Sequence, residues 1–134
     1  VARRARPFDL QLLEDGERKV LRCRHDGYRR LPGKVVHERE WIVGPGRLTI
    51  RDRIIGTFRC AIGRYYLHPS VHIDCLGRSG TLKMQDGYEI GWRMQGAVGQ
   101  LKQSNYHPEF GRSLDSICLE VKFDQDWCEI NFNW

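Results

Sequence analysis

Hydrophobic and polar residues alternate with a period of two along most of the chain, which is the pattern of half-buried β-strands. One run would place His37, Arg39 and Trp41 on one face of a strand and Glu38 and Glu40 on the other. No apolar i, i+3, i+4, i+7 pattern continues over three turns, so we expect little or no helix. The runs predict strands at 8–13, 21–26, 35–43, 48–55, 57–62, 65–68, 71–76, 81–85, 88–94, 97–102, 114–123 and 127–134.

Turn-forming residues separate these runs at intervals of roughly 8–12 residues, which is typical of β-sandwiches and barrels. Asp15-Gly16, Asp26-Gly27 and Asp86-Gly87 suit tight hairpins, because both residue types tolerate positive φ angles. Pro32-Gly33 and His107-Pro108 interrupt strands. We therefore predict an all-β fold, an antiparallel β-sandwich with many strands, formed by a single domain over residues 1–134.

The positive charge of the chain comes mainly from arginine. The chain has a formal net charge of +5, and it contains 17 arginines but only 5 lysines. Such a bias suits bidentate contacts with carboxylate, sulfate or phosphate, although the 17 acidic residues offer the same arginines partners within the fold. The basic segment Val1–Pro7 has no apolar stretch after it and does not indicate a signal peptide, and no apolar run is long enough to span a bilayer.

The cysteines form an odd set without a Cys-x-x-Cys pair, which argues against a zinc ribbon, a thioredoxin-type site or a complete disulfide framework. Most of them have apolar neighbours, and this favours free thiols buried as small hydrophobic groups. One disulfide with spare thiols is the alternative. The residues concerned are Cys23, Cys60, Cys75, Cys118 and Cys128.

Common catalytic and binding motifs are missing from the sequence. His68 and His72 would lie about 13 Å apart on one strand, which is too far for a shared metal ion. His25 and His37 could approach each other across a hairpin with Asp26 nearby, but further ligands are not evident. We find no nucleophile elbow, no phosphate-binding loop and no RNP motif, so we predict no metal site and no nucleic-acid partner.

Five segments carry a more specific signal: 24–31 (RHDGYRRL), 36–39 (VHER), 48–56 (LTIRDRIIG), 65–71 (YYLHPSV) and 106–111 (YHPEFG). In this order and spacing they resemble the last part of the C-terminal β-sandwich of heparinase II/III-like polysaccharide lyases. The resemblance covers residues from about 18 to 123. Each motif alone is weak, and it is the ordered set that is specific.

The resemblance implies a larger enzyme, in which an N-terminal α/α-toroid domain precedes the β-sandwich. Such enzymes cleave anionic polysaccharides that contain uronic acid by β-elimination. The family's His-x-His-x-Asp and Ala-His-Asn-Thr-like motifs, some of which ligate a structural zinc, do not occur in this chain. We therefore assign no catalytic residue, metal ligand or cofactor here, and expect a C-terminal part of a longer protein that is inactive alone.

Two functions remain under consideration. In the first, this sandwich supports the catalytic half of a lyase and offers Arg24, His25, Tyr28 and Arg29 to the substrate, unless these residues only form a turn. In the second, it is a free-standing carbohydrate-binding or adaptor module. That module would stack sugars on Trp41, Trp92 or Tyr66, unless these aromatic residues are core. The family implies a periplasmic or extracellular location, whereas the free cysteines favour a reducing compartment, so the location is left open.

Overall fold

The computed structural model describes residues 4–134, and within that range it contains strands but no helix. None of these residues therefore forms a helix that could cross a membrane. The prediction of an all-β fold is confirmed. The strands are β1 (Pro7–Asp15), β2 (Arg18–His25), β3 (Val36–Gly44), β4 (Arg47–Ile55), β5 (Ile62–Tyr66), β6 (His72–Ile73), β7 (Ser79–Lys83), β8 (Glu89–Gln95), β9 (Ala97–Tyr106), β10 (Leu114–Phe123) and β11 (Trp127–Asn133).

These strands form two antiparallel sheets. The large sheet has eight strands in the order β1-β2-β3-β4-β11-β8-β7-β6, and the small sheet has three in the order β5-β10-β9. The final strand, β11, lies in the interior of the large sheet, where Ile130 pairs with Ile50 on one side and with Met94 on the other. The large sheet is therefore continuous only because β11 joins its two halves.

The core lies between the small sheet and the middle of the large sheet. Alternate residues of β8 and β11 point into it, and so do residues of β10, which accounts for the period-two pattern of the sequence. Burial of this apolar surface is the main favourable contribution to folding. The central cluster consists of Trp92, Met94, Ala97, Leu119, Val121, Cys128 and Ile130.

One row of side chains across the large sheet shows how far the small sheet covers it. Ile130 is fully buried and Ile50 is 8% exposed. The next residues in register are Trp41, which is half-buried, and then Leu21 and Leu12, which are 36% and 62% exposed. The small sheet thus covers the middle strands and leaves the apolar side chains of β1 and β2 in solvent.

Ionic pairs cover the other face of the large sheet. Arg22 donates to Glu40 at 2.7 Å, and Arg51 bridges Glu40 and Glu129 at 3.3 and 2.5 Å. This arrangement follows from the register, because Arg22 and Arg51 lie directly opposite Glu40 on the two neighbouring strands. Many of the arginines therefore do pair with acidic residues on strand faces, as one of the two sequence interpretations proposed.

Several local predictions were wrong, and the predicted strand 71–76 is reduced to His72–Ile73. Residues 57–61 form no strand, because the chain there leaves the large sheet after Ile55 and crosses to the small sheet, which it joins at Ile62. Asp26-Gly27 does not make a tight hairpin, since β2 and β3 are joined by a loop over residues 26–35 in which Gly33 and Lys34 have the positive φ angles. His68 lies in a turn after β5 rather than on a strand with His72.

All five cysteines lie within the described residues and all are free thiols, as favoured from the sequence. Cys118 and Cys128 are buried, Cys23 and Cys75 are partly buried, and Cys60 is exposed. Burial raises the pKa of the Cys128 thiol to about 12, an effect that the nearby Asp52 carboxylate reinforces. The thiolate needed for alkylation is therefore scarce at Cys128.

We expect iodoacetamide to modify Cys60 first and to leave Cys128 unmodified until the protein unfolds. Peptide mass spectrometry after brief labelling at neutral pH, with and without denaturant, would measure this order. Cys118, a second buried thiol whose pKa is raised by burial and then by the Glu120 carboxylate, serves as the internal comparison. Labelling of Cys128 at the rate of Cys60 in the native protein would contradict the packing of β11.

Candidate functional site

An open cleft of about 1270 Å³ lies at the inner face of β2, β3 and β4. Its walls are the 26–35 loop on one side and the crossing segment 57–64 on the other. Most of its surface is apolar, with polar groups concentrated at its base, which is the usual composition of a ligand site. The lining residues are His25, Tyr28, Leu31, Pro32, Gly33, Val35, His37, Arg39, Asp52, Ile54, Thr57, Phe58, Arg59, Cys60, Ala61, Ile62, Gly63, Arg64 and Phe123.

The two walls meet at Gly33. The backbone N–H of Thr57 donates to the Gly33 carbonyl at 3.4 Å. Gly33 has a φ of +94°, and a Cβ at this position would lie only 1.9 Å from the Thr57 carbonyl oxygen. Only glycine allows both this backbone angle and this approach, so Pro32-Gly33 closes one end of the cleft rather than simply ending a strand.

A chain of hydrogen bonds runs from the mouth of the cleft to its base. His25 Nε2 lies 2.9 Å from His37 Nδ1, and His37 Nε2 lies 2.6 Å from Asp52 Oδ1. We call His25, His37 and Asp52 the histidine chain. It is built by register, since His25 stands directly opposite His37 on β2 and β3. The expected approach of these two histidines is therefore confirmed.

The Asp52 side chain is 1% exposed and organises the base of the cleft. Arg39 donates to both of its carboxylate oxygens, at 2.6 and 2.9 Å, and the Tyr65 hydroxyl donates to it at 3.3 Å. Burial acts to raise the pKa of Asp52, but the hydrogen bonds from His37 and Arg39 outweigh it and leave the pKa below its usual value. Asp52 is therefore a carboxylate at any physiological pH.

Burial affects the neighbouring groups as well. It raises the pKa of Tyr65, and the Asp52 carboxylate adds to this effect, so the phenol stays protonated. At the mouth, burial and then the proximity of His37 lower the pKa of His25 below the ordinary 6.5. The histidine chain is thus neutral at its outer end when the cleft is empty at neutral pH.

The four substrate residues predicted from the sequence separate in the structure. His25 and Tyr28 both line the cleft, and their ring centroids lie 5.4 Å apart. Arg24 projects to the opposite face of the sheet, where it pairs with Glu38 at 2.6 Å and with Asp9 at 3.0 Å. Arg29 is exposed on the loop and does not line the cleft. Substrate binding by any of these residues stays a prediction.

Arg39, Asp52, Arg59 and Tyr65 were not singled out as site residues from the sequence. Arg39 and Asp52 belong to two of the motifs that carry the resemblance, but only the β3–β4 register shows that they stand opposite each other. Arg59 is exposed on the cleft wall and makes no ion pair or side-chain hydrogen bond with the described residues. It is the kind of arginine that an anionic ligand would engage.

The proposed sugar-stacking aromatic residues occupy three different environments. Trp92 is only 3% exposed and belongs to the core, so that suggestion was wrong. Trp41 is half-buried beneath the Arg39 guanidinium, which lies 5.8 Å from its ring centroid. Tyr66 is 66% exposed on the small sheet. These side chains form no continuous row of exposed rings.

Metal ligation finds no support in this part of the chain. Among residues 4–134 there is no group of three or more His, Cys, Asp or Glu side chains arranged to hold an ion. His25 and His37 satisfy each other by a hydrogen bond, and His68 bonds to Ser70 at 2.7 Å.

Comparisons with known proteins place the chain in a family. The sequence model described as "Heparinase II/III-like, C-terminal" matches residues 1–134, and the chain therefore belongs to that family. A sequence search of curated proteins gave no significant match. The family match extends beyond the range of about 18 to 123 over which the resemblance was first apparent.

Solved structures show the same fold. The heparan sulfate lyase HepC from Pedobacter heparinus superposes with a TM-score of 0.73 at 11% identity, and the heparinase III BT4657 gene product with a TM-score of 0.70 at 12% identity. Each alignment covers 96% of this chain and 21% of the other. The chain thus spans about a fifth of the length of these lyase chains.

Proposed function

We propose that this chain is the C-terminal β-sandwich of a heparinase II/III-like polysaccharide lyase, and that its cleft binds the anionic polysaccharide during β-elimination by the full-length protein. In that reaction a base removes the C5 proton of a uronate, the C4–O bond breaks as a C4–C5 double bond forms, and an acid protonates the leaving oxygen. The catalytic groups lie in other parts of that protein. The observation that carries the proposal is Arg59, which has no ion-pair partner among residues 4–134 and lies on a cleft wall that faces His25 and Tyr28.

The chemistry of the cleft supports an anionic sugar ligand. The Arg59 guanidinium can donate two hydrogen bonds to a carboxylate or sulfate, and the exposed ring of Tyr28 offers an apolar face for a sugar ring. Arg39 is committed to Asp52, and Arg64 pairs with Glu120 at 2.9 Å. We therefore assign direct contact with the ligand to Arg59 rather than to these paired arginines.

The apolar side chains of β1 support a role inside a larger protein. Leu10, Leu12 and Leu13 are 62–70% exposed, and β1 is an edge strand. Exposed apolar groups of this kind mark surfaces that other protein covers. We propose that the rest of the lyase, including its N-terminal toroid domain, packs there. A row of exposed aromatic rings would instead favour the alternative, a free-standing carbohydrate-binding module.

Isothermal titration of the 134-residue chain with a heparan sulfate octasaccharide tests the proposal. We expect Arg59→Ala to weaken binding about tenfold, because it removes a charge-assisted hydrogen bond. Arg93→Ala is the matched control, since Arg93 is also exposed and unpaired among the described residues but lies outside the cleft. Equal losses for the two variants would indicate only nonspecific attraction, and no binding by the wild-type chain would refute the assignment of the cleft.

A further inference from the structure

The two ends of the histidine chain fix the direction of every hydrogen bond between them. At the outer end, the backbone N–H of Gly27 points to His25 Nδ1 at 3.3 Å, and a backbone N–H can only donate. At the inner end, the Asp52 carboxylate, neutralised by Arg39, can only accept. Two imidazoles lie between a fixed donor and a fixed acceptor.

Only one arrangement of protons satisfies this chain when both rings are neutral. His25 accepts at Nδ1 and donates from Nε2 to His37 Nδ1, and His37 donates from Nε2 to Asp52. Both histidines therefore carry their proton on Nε2. All four groups are satisfied without any free N–H facing the cleft.

One added proton has the same outcome wherever it enters. If His25 takes it, the new N–H is at His25 Nδ1. If His37 is the cation, its Nδ1–H donates to His25 Nε2, and the single proton of His25 must then sit on Nδ1. In both cases an N–H at His25 Nδ1 meets the Gly27 N–H at 3.3 Å, so two donors face each other and an external acceptor is needed.

We propose that the histidine chain is a one-proton sensor for an anion in the cleft: when the ligand binds, the His25–His37 pair takes up one proton, and His25 Nδ1 donates it to a carboxylate or sulfate oxygen of the ligand. The inference rests on the proposed function of the cleft. To that function it adds the donor atom on the protein, the number of protons taken up and the pH dependence of binding.

The surroundings of His25 agree with an uncharged ring before binding. Burial lowers the pKa of His25 most and the neighbouring His37 lowers it further, while Asp26 in the adjoining loop raises it and Arg39 lowers it by a smaller amount. Across the cleft, Arg59 and Arg64 line the opposite wall, and the Arg64 guanidinium is paired with Glu120.

Four other titratable side chains lie around the cleft. Asp52 is ionised at the base of the cleft, and Tyr65 beside it stays protonated. Tyr28 contacts the His25 ring from the loop, and Cys60 lines the opposite wall. A bound anion would offset the surrounding positive charge and raise the pKa of His25. Proton uptake is therefore confined to the interval between the lowered pKa of His25 in the free protein and its higher pKa in the complex.

Isothermal titration in buffers of different ionisation enthalpy measures this uptake directly. With the octasaccharide we expect close to one proton taken up per site within that interval. The affinity should fall about tenfold for each unit of rising pH there and level off below the pKa of His25 in the free protein. An unsulfated octasaccharide of the same backbone distinguishes the acceptors, because uptake that persists with it identifies the carboxylate and uptake seen only with the sulfated form identifies the sulfate.

His25→Gln should abolish the proton uptake, whereas His72→Gln, which alters an exposed histidine on β6 away from the cleft, should leave it intact. Imidazole ¹⁵N spectra of the free wild-type chain should show both histidines as Nε2–H tautomers, independently of any variant. Binding without proton uptake, or a free His25 protonated on Nδ1, would overturn the inference alone. Absence of binding by both octasaccharides would overturn the proposed function and the inference with it.

Discussion

Replacing Asp52 by Asn is expected to lower the free energy of unfolding by about 3–5 kcal/mol, because it leaves the partly buried guanidinium of Arg39 without its counter-charge. The wild-type carboxylate accepts hydrogen bonds from Arg39, His37 and Tyr65, and an amide can accept only at its oxygen. Urea denaturation followed by tryptophan fluorescence would measure the change.

Asp124→Asn provides the matched control. Asp124 pairs with Arg78 at 2.9 Å, but the two side chains are 45% and 54% exposed, and we expect a loss of only about 0.5 kcal/mol. If the two variants lost the same free energy of unfolding, the buried Asp52 cluster would contribute no more to stability than an exposed ion pair.

The same carboxylate gives the stability a defined dependence on pH. The folded-state pKa of Asp52 is lowered from the ordinary 3.8, so the folded protein holds this proton less tightly than the unfolded chain does. Its contribution is complete above pH 3.8 and is lost as the pH falls through the lowered value. The Asp52→Asn variant should lack this part of the acid transition.

Replacing Gly33 by Ala should also be strongly destabilising, by about 2–4 kcal/mol. An added methyl group would meet the Thr57 carbonyl at 1.9 Å, and the φ of +94° is unfavourable for any residue with a Cβ. The crossing segment would have to move, which would also open the end of the cleft. Thermal unfolding gives the stability change, and titration with the octasaccharide gives the effect on binding.

Gly87→Ala separates the two causes. Gly87 has a similar φ of +85°, but no atom lies within 4 Å of its added Cβ. We expect a loss of about 1 kcal/mol from the backbone alone and no change in binding. A loss for Gly33→Ala no larger than that for Gly87→Ala would show that the two walls of the cleft can separate at little cost.

The fold class could be predicted because each strand shows, within its own sequence, the alternation of buried and exposed residues. Ile130 and Cys128 alternate with polar residues in the sequence as they do in the sheet, and so do Trp92 and Met94. Residues 57–61 show where this reasoning fails. Their pattern also alternates, but the chain there connects two sheets, and no local signal distinguishes a crossing segment from a strand.

The candidate site depended on information that a single sequence does not contain. His25 and Tyr28 were predicted together because they are close in the chain. Asp52 and Arg39 were missed because their partnership depends on which β3 residue stands opposite which β4 residue. Arg24 was assigned to the same cluster as His25, yet neighbouring residues on a strand point to opposite faces of the sheet.

The interior position of β11 has a consequence for biosynthesis. This strand is synthesised after all the other strands of the large sheet, yet β4 and β8 are joined only through it, and it contributes Cys128 and Ile130 to the core. During translation, β1–β4 and β6–β8 must therefore persist as two separate groups of strands with unsatisfied edges. The large sheet can therefore close only after β11 has been synthesised, and until then the facing edges of β4 and β8 have no strand between them.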